Sequence, residues 1–344
     1  MLFHGPIEER IERLLRLGQE HSERFCSADE QMKRRLYLAR HPTSVLVLKC
    51  MDGRVHIPWA TRMPMGIIRP FRNLGGMFDL GWPYLGEILM DTVQKAMAAG
   101  NRTLLLITYH YSASCHEWGC AGFHYDREKA FEHGQQIRNQ AIHLFGKDVV
   151  YPVVCGFETD REALLFHGDG VFDPLNEKIE AADLPDRFRS LFPDMPSSIL
   201  RDLLPLVRGN LKHVGTTVNR EGFQEPEHRE WALCIGRGFD FLHVPNVALI
   251  VGPYSPDLSG PIAKAGAILA ENMRSGRIAD DGFLLLASSP YSEQGMDRAR
   301  AELKSRFLSD FAADVLRTEH PELAAKMIRR TAVLNWDRRS LELL

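Results

Sequence analysis

Two stretches of this chain carry side chains of the kind that hold a metal ion. The first is Cys50-Met51-Asp52-Gly53-Arg54, where a carboxylate follows a thiol by two residues and a guanidinium follows the carboxylate by two more. The second runs from His110 to Cys120 and also contains Cys115 and His116. Zn²⁺ takes thiolate sulfur and imidazole nitrogen in a tetrahedron, and a catalytic site uses three protein ligands and leaves the fourth position to water. The expected ligands are Cys50, His110 and Cys120, with Cys115 and His116 as alternatives to the latter two. Asp52 and Arg54 are expected to form a charge-assisted pair beside them. Taken alone, the first stretch also reads as a buried strand cysteine followed by an Asp-Gly turn. The coincidence of the two stretches is what favours a metal.

The elements around them must bring these side chains together. Residues 1–40 read as helix, with Ile7, Ile11, Leu14 and Leu15 at helical spacing. The continuous apolar run from Ser44 to Leu48 predicts a buried parallel strand with Cys50 at its C-terminal end. A turn-rich segment containing Arg72-Asn73-Leu74-Gly75-Gly76 precedes a helix over 87–99. A second strand starts at Thr103 and delivers His110. Strand, helix, strand is a βαβ unit, which puts both strand C-termini on one edge, where open α/β sheets bind ligands. A helix over 126–145 and a third strand over 148–156 follow. In the last third, Val244–Gly252, a helix over 261–274 and Gly282–Tyr291 repeat the same order. Superimposing the apolar runs sets Cys50 on Gly252 and His110 on Pro290, so the repeat lacks the ligands. The fold class expected is α/β, a βαβ-built, mostly parallel sheet with flanking helices, plus a degenerate second copy. The expected divisions are a helical segment (1–40), a zinc-binding domain (41–174), a connecting lobe (175–230) and the repeat (231–344).

The chain has 344 residues, 44% hydrophobic and 25% charged, at globular averages. A net charge of −3 argues against general nucleic-acid binding, and the sequence presents no apolar run long enough for a membrane span. Acidic residues near the start are unlike a signal peptide, so a cytoplasmic location is expected. Six cysteines are too few for a disulfide framework in a chain this long. Cys26, Cys155 and Cys234 are expected to be small packed residues, and His124 and His133 are candidate proton relays. Thr159-Asp160 is expected to be a turn, and the charges over 329–339 to be solvated or at a subunit contact.

In order and spacing, the CxDxR motif after a strand, the RNLGG segment, and a strand ending in His followed by Cys120-Ala121-Gly122 resemble the β-class carbonic anhydrases. Ordinary members place the ligand histidine and cysteine three positions apart, whereas His110 and Cys120 are ten apart. That departure resembles the divergent branch typified by the carboxysome shell carbonic anhydrase, as do GFETDREALLFH (156–167) and a degenerate C-terminal copy. The resemblance implies a lyase that reversibly hydrates CO₂ to bicarbonate through hydroxide generated at Zn²⁺. It also implies that Asp52 accepts a hydrogen bond from that hydroxide while Arg54 holds the carboxylate. A homodimer, or a multiple of it, is expected, although the second copy would supply within one chain what a partner subunit supplies elsewhere. A carboxysome shell or Rubisco as partner rests on the resemblance alone. The alternatives are a COS or CS₂ hydrolase on the same scaffold and a non-catalytic zinc-stabilised binding protein.

Overall fold

A computed structural model describes residues 2–217, 227–239, 242 and 244–344. Residues 218–226 of the expected connecting lobe, and 240, 241 and 243 of the expected repeat, lie outside the described residues. The chain runs through α1 (Ile7–Cys26), α2 (Ala28–Arg40), β1 (Ser44–Cys50), α3 (Ile57–Ala60), β2 (Ile68–Asn73), α4 (Pro83–Ala98), β3 (Thr103–Tyr111), α5 (Arg127–Phe145), β4 (Val150–Glu158), β5 (Ala163–Gly168) and β6 (Gly170–Phe172). Then come α6 (Leu184–Leu191), α7 (Ser197–Thr217), β7 (Ala232–Gly236), β8 (Ala248–Val251), α8 (Ser259–Arg274), β9 (Phe283–Tyr291), α9 (Met296–Glu319), α10 (Pro321–Ala324), β10 (Met327–Asn335) and β11 (Ser340–Leu343).

The strands form two mostly parallel sheets flanked by helices, a six-stranded one ordered β2-β1-β3-β4-β5-β6 and a five-stranded one ordered β11-β10-β9-β7-β8. In the first, β2, β1, β3 and β4 are parallel and β5 turns back. In the second, β8, β7, β9 and β10 are parallel and β11 turns back. The strand sequence 2-1-3-4-5 therefore occurs twice. This order corrects the expected superposition in one respect. The strand that occupies β1's place in the second sheet is β7, which pairs with both β8 and β9, so Cys50 does not correspond in strand order to Gly252, which follows β8. In strand order, β9 stands in the second sheet where β3 stands in the first.

Apolar runs replace alternation because both faces of the first sheet are covered. Leu46 and Leu48 of β1, with Leu105 and Ile107 of β3, pack under α4 and α5, while Val45, Val47, Leu104 and Leu106 face the core shared with α1, α7 and the second sheet. One expectation fails locally. Residues 68–73 are a strand although Pro70 interrupts the pattern, because β2 is an edge strand where a missing N–H costs no ladder bond. The charged stretch 329–339 is largely β10, where Arg329 pairs with Asp310 and Arg330 with Glu8. The described part of the connecting lobe packs firmly: Asp202 of α7 accepts hydrogen bonds from the Thr43 N–H (3.0 Å) and hydroxyl (2.5 Å) just before β1.

Gly76 marks a tight approach beneath the site. Its φ is +67°, and a Cβ there would stand 2.9 Å from the Thr108 carbonyl oxygen and 3.4 Å from the Cys50 nitrogen. Gly100 has a similar φ of +72° with nothing within 4 Å. Gly76→Ala is expected to cost about 2 kcal/mol or more, and Gly100→Ala only about 1 kcal/mol for the left-handed backbone. Equal losses in urea denaturation would show that the contact with β3 is unimportant.

Candidate metal centre

The β1–β3 register, with Leu48 opposite Ile107, brings Cys50 and His110 to neighbouring positions at the carboxyl edge of the first sheet. Cys120 reaches the same point from the loop after β3, between two short 3₁₀ turns at His116–Trp118 and Ala121–Phe123. Glycine allows that approach: a Cβ on Gly122 would meet the Gly75 Cα at 2.7 Å, so the loop rests directly on the RNLGG turn. Asp160 anchors the loop's start by accepting hydrogen bonds from the N–H of Ala113 (3.0 Å) and from the N–H (2.8 Å) and hydroxyl (2.6 Å) of Ser114. The Thr159-Asp160 turn thus has a positioning role that its sequence did not announce.

Donor atoms of Cys50, His110 and Cys120 all lie within 4.8 Å of one another, and all three residues are buried. Cys115 is half-buried and His116 exposed, and neither belongs to the cluster. Neither ring nitrogen of His110 has a hydrogen-bond partner of ordinary geometry. Burial and the neighbouring Cys120 sulfur hold the Cys50 thiol well above the usual cysteine value. The hydrogen bond with Cys50 draws Cys120 below that value. Burial by itself would lower His110, but its neighbours Cys50 and Asp52 raise it. Two sulfurs and an orphaned imidazole out of water are costly neighbours unless a cation sits among them. The set has the softness and count that Zn²⁺ prefers, so these residues fit a zinc ion.

Beside the cluster stands the Asp52–Arg54 pair, only 3% and 5% exposed. The Arg54 N–H (2.8 Å) and Nε (3.1 Å) donate to Asp52 Oδ1, and Nη2 donates to Oδ2 (2.7 Å). Burial opposes ionisation of Asp52, but Arg54 and the nearby His228 and His110 hold its carboxyl far below the usual range. Asp52 Oδ2 is also 3.7 Å from His110 Nε2.

The residues that sequence reasoning missed come from the second half. Arg54 Nη2 donates to His228 Nε2 (2.9 Å), which makes Nδ1 the protonated nitrogen, and Nδ1 donates to Glu230 Oε2 (2.9 Å). Glu230 Oε1 also accepts the Gly53 N–H (3.0 Å). Asp52, His228 and Glu230 are close enough to suggest a second metal site, but the Arg54 guanidinium already supplies the positive charge there. The only sequence signal was an acid and a histidine two residues apart before a strand, which is too common to read. His124 is exposed, and His133 Nε2 accepts the Phe78 N–H (3.3 Å), so neither candidate relay belongs to the cluster.

A cavity of about 10 Å³ opens beside the cluster, walled by Leu74, Ala121, Leu249 and Ile268 and bordered by Asp52 and His228. That is room for about one water. His228 and Ile268 also line a wider cleft of about 430 Å³ with Glu117, Tyr125, Lys264 and Glu271.

No family model matches the sequence, and no curated protein matches it. Among solved structures, the carbonic anhydrase from Streptococcus mutans is similar at 15% identity and a TM-score of 0.26, over 40% of this chain and 95% of that one. A likeness that low assigns neither fold nor activity.

Purified protein is expected to carry about one zinc per chain by elemental analysis. Cys50→Ser, His110→Ala and Cys120→Ser should each lose it, while Cys115→Ser and His116→Ala keep it. Zinc loss in the last two variants would move the ligand set into the loop.

Proposed function

We propose that the chain is a zinc-dependent lyase that reversibly hydrates CO₂ to bicarbonate, with Cys50, His110 and Cys120 as ligands and Asp52 and Arg54 as the orienting pair. The observation that carries this reading is the conjunction of a buried two-sulfur, one-imidazole cluster, an ionised carboxylate 3.7 Å from its histidine and an apolar cavity beside both. When bound there, zinc supplies the Lewis acidity that brings a water's pKa from about 15.7 toward neutrality.

The chain's own residues do the rest. Because Asp52 is held ionised, its Oδ2 accepts a hydrogen bond from water entering the cavity and donates none, which turns an oxygen lone pair of that water toward the apolar wall. Arg54 occupies both carboxylate oxygens and keeps Asp52 from swinging onto the cluster. His228, held through Nδ1 by Glu230, takes a second hydrogen bond from Arg54 Nη2 and fixes the guanidinium in place. The side chains of Leu74, Ala121, Leu249 and Ile268 suit CO₂, a small molecule without a net dipole, and disfavour larger polar substrates.

The second half is, on this reading, a diverged duplicate of the first that has kept the strand order and lost the ligands. It contributes His228, Glu230, Leu249 and Ile268 to the site, the part a partner subunit would otherwise play.

Stopped-flow CO₂ hydration with parallel zinc quantitation tests the proposal. Asp52→Asn should retain zinc and slow hydration by about a hundredfold or more, since a positioned proton acceptor is worth that much. An unchanged rate would reduce the pair to a structural one. Turnover of CS₂ without CO₂ hydration would make the chain a hydrolase, and a zinc-loaded protein inert to both would make it a binding protein.

A further inference from the structure

The doubled strand order gives the metal centre a counterpart in the second half. Val45 of β1 pairs with Leu104 and Ile68, and Ala232 of β7 pairs with Leu284 and Ala248. Counting forward five residues places Arg237 where Cys50 stands, and counting forward six along β9 places Pro290 where His110 stands. One residue past each edge-strand pairing, Leu249 of β8 lines the metal cavity and Arg69 of β2 lines a cleft around Arg237. Each half thus closes the other's site with its edge strand, and the second site has an arginine where the first has Cys50 and a proline where it has His110.

That second cleft measures about 110 Å³ and is lined by Arg69, Arg237 and Arg339 together with Phe25, Tyr254 and Trp336. Among the described residues, none of the three arginines forms an ion pair with a carboxylate. Asp91 and Asp337 act on Arg69 and Arg339 from beyond ion-pair distance, and the closest neighbours are aromatic rings and hydroxyls. Arg237 and Arg339 lie 5.3 and 3.6 Å over the Trp336 ring, and Arg69 Nη2 donates to the Thr92 hydroxyl (2.6 Å). The phenols of Tyr84 and Tyr254 stand close enough to Arg237 to raise it above the usual guanidinium value against the effect of burial. Burial and the positive charges of Arg69 and Arg237 push Arg339 down to about 10, low for a guanidinium. Three unneutralised guanidiniums around one recess repel each other unless an anion joins them, and their forks suit tetrahedral oxyanions.

We propose that Arg69, Arg237 and Arg339 form a binding site for a divalent oxyanion of the phosphate type, in the position that the metal centre holds in the other half. A tetrahedral oxyanion offers enough acceptor oxygens for three guanidinium forks, whereas a monocarboxylate offers two. The site's existence does not depend on the CO₂ reading.

The test is a calorimetric titration of the full zinc-loaded chain with inorganic phosphate in a low-salt buffer free of other oxyanions. Saturable binding of about one phosphate per chain at a Kd of about 1 mM or tighter is expected. Sulfate should compete, and equimolar acetate should not. Arg237→Gln and Arg339→Gln should each weaken binding by about tenfold or more with zinc content unchanged. Cys50→Ser should bind phosphate as the parent does. Absence of saturable binding up to about 10 mM in the parent chain, undiminished binding in the arginine variants, or loss of binding in Cys50→Ser would each overturn the proposal. Should Arg237→Gln fail to fold, the parent titration and Arg69→Gln decide.

Discussion

The buried ionic chain Asp52–Arg54–His228–Glu230 is the constraint on which the arrangement of the site depends. Two carboxylates and a guanidinium out of water would be expensive individually, since several kcal/mol per ion is lost on desolvation. Here each charge meets its opposite or a hydrogen bond, and Glu230 closes the circuit by accepting the Gly53 N–H. Backbone bonds reinforce it: Asn246 donates to the Gly53 carbonyl, Ile250 to that of Met51 and Gly252 to that of Arg72. The turn after β1 is therefore clamped by the second half, and a site whose proposed ligands all lie before residue 121 is shaped by residues beyond 227.

The donor cluster depends on that clamp and on close backbone contact. Cys50 and His110 arrive on strands whose register leaves little freedom. Cys120 arrives on a loop, and its place is set from below by the glycine contact between Gly75 and Gly122 and from the side by Asp160. A loop that spends Asp160 on its first residues and glycine on its floor can be longer than a minimal connection and still deliver one sulfur to a fixed point.

The doubled strand order sets two different groups of side chains on similar frames. At the carboxyl edge of the first sheet the positions hold sulfur and imidazole, and at the corresponding edge of the second they hold guanidinium and proline. The core beneath is similar in kind, with Leu104–Leu106 in β3 answered by Leu284–Leu286 in β9, all buried. Packing constrains the strand interiors and leaves the residues just past their ends free to diverge.

Much was legible from the residues alone. The apolar runs of β1, β3, β4 and β9 and the periodicity of α1 declared themselves, because burial on both faces or along one stripe selects composition locally. The CxDxR and His–Cys spacing declared a metal-competent set, because few residue types bind a soft cation. The sequence left Cys115 and His116 open as ligands, and only the loop's path, resting on Gly75 and tied to Asp160, brought Cys120 to Cys50 and His110. β2, β7 and β10 were missed because Pro70, the shortness of β7 and the Arg329-Arg330 pair break the local pattern that pairing with neighbours overrides. His228, Glu230 and Arg237 were invisible for a deeper reason. Their significance lies in what stands opposite them across the two halves, and partners some 175 residues apart are chosen by sheet topology and desolvation, which no local window of sequence encodes.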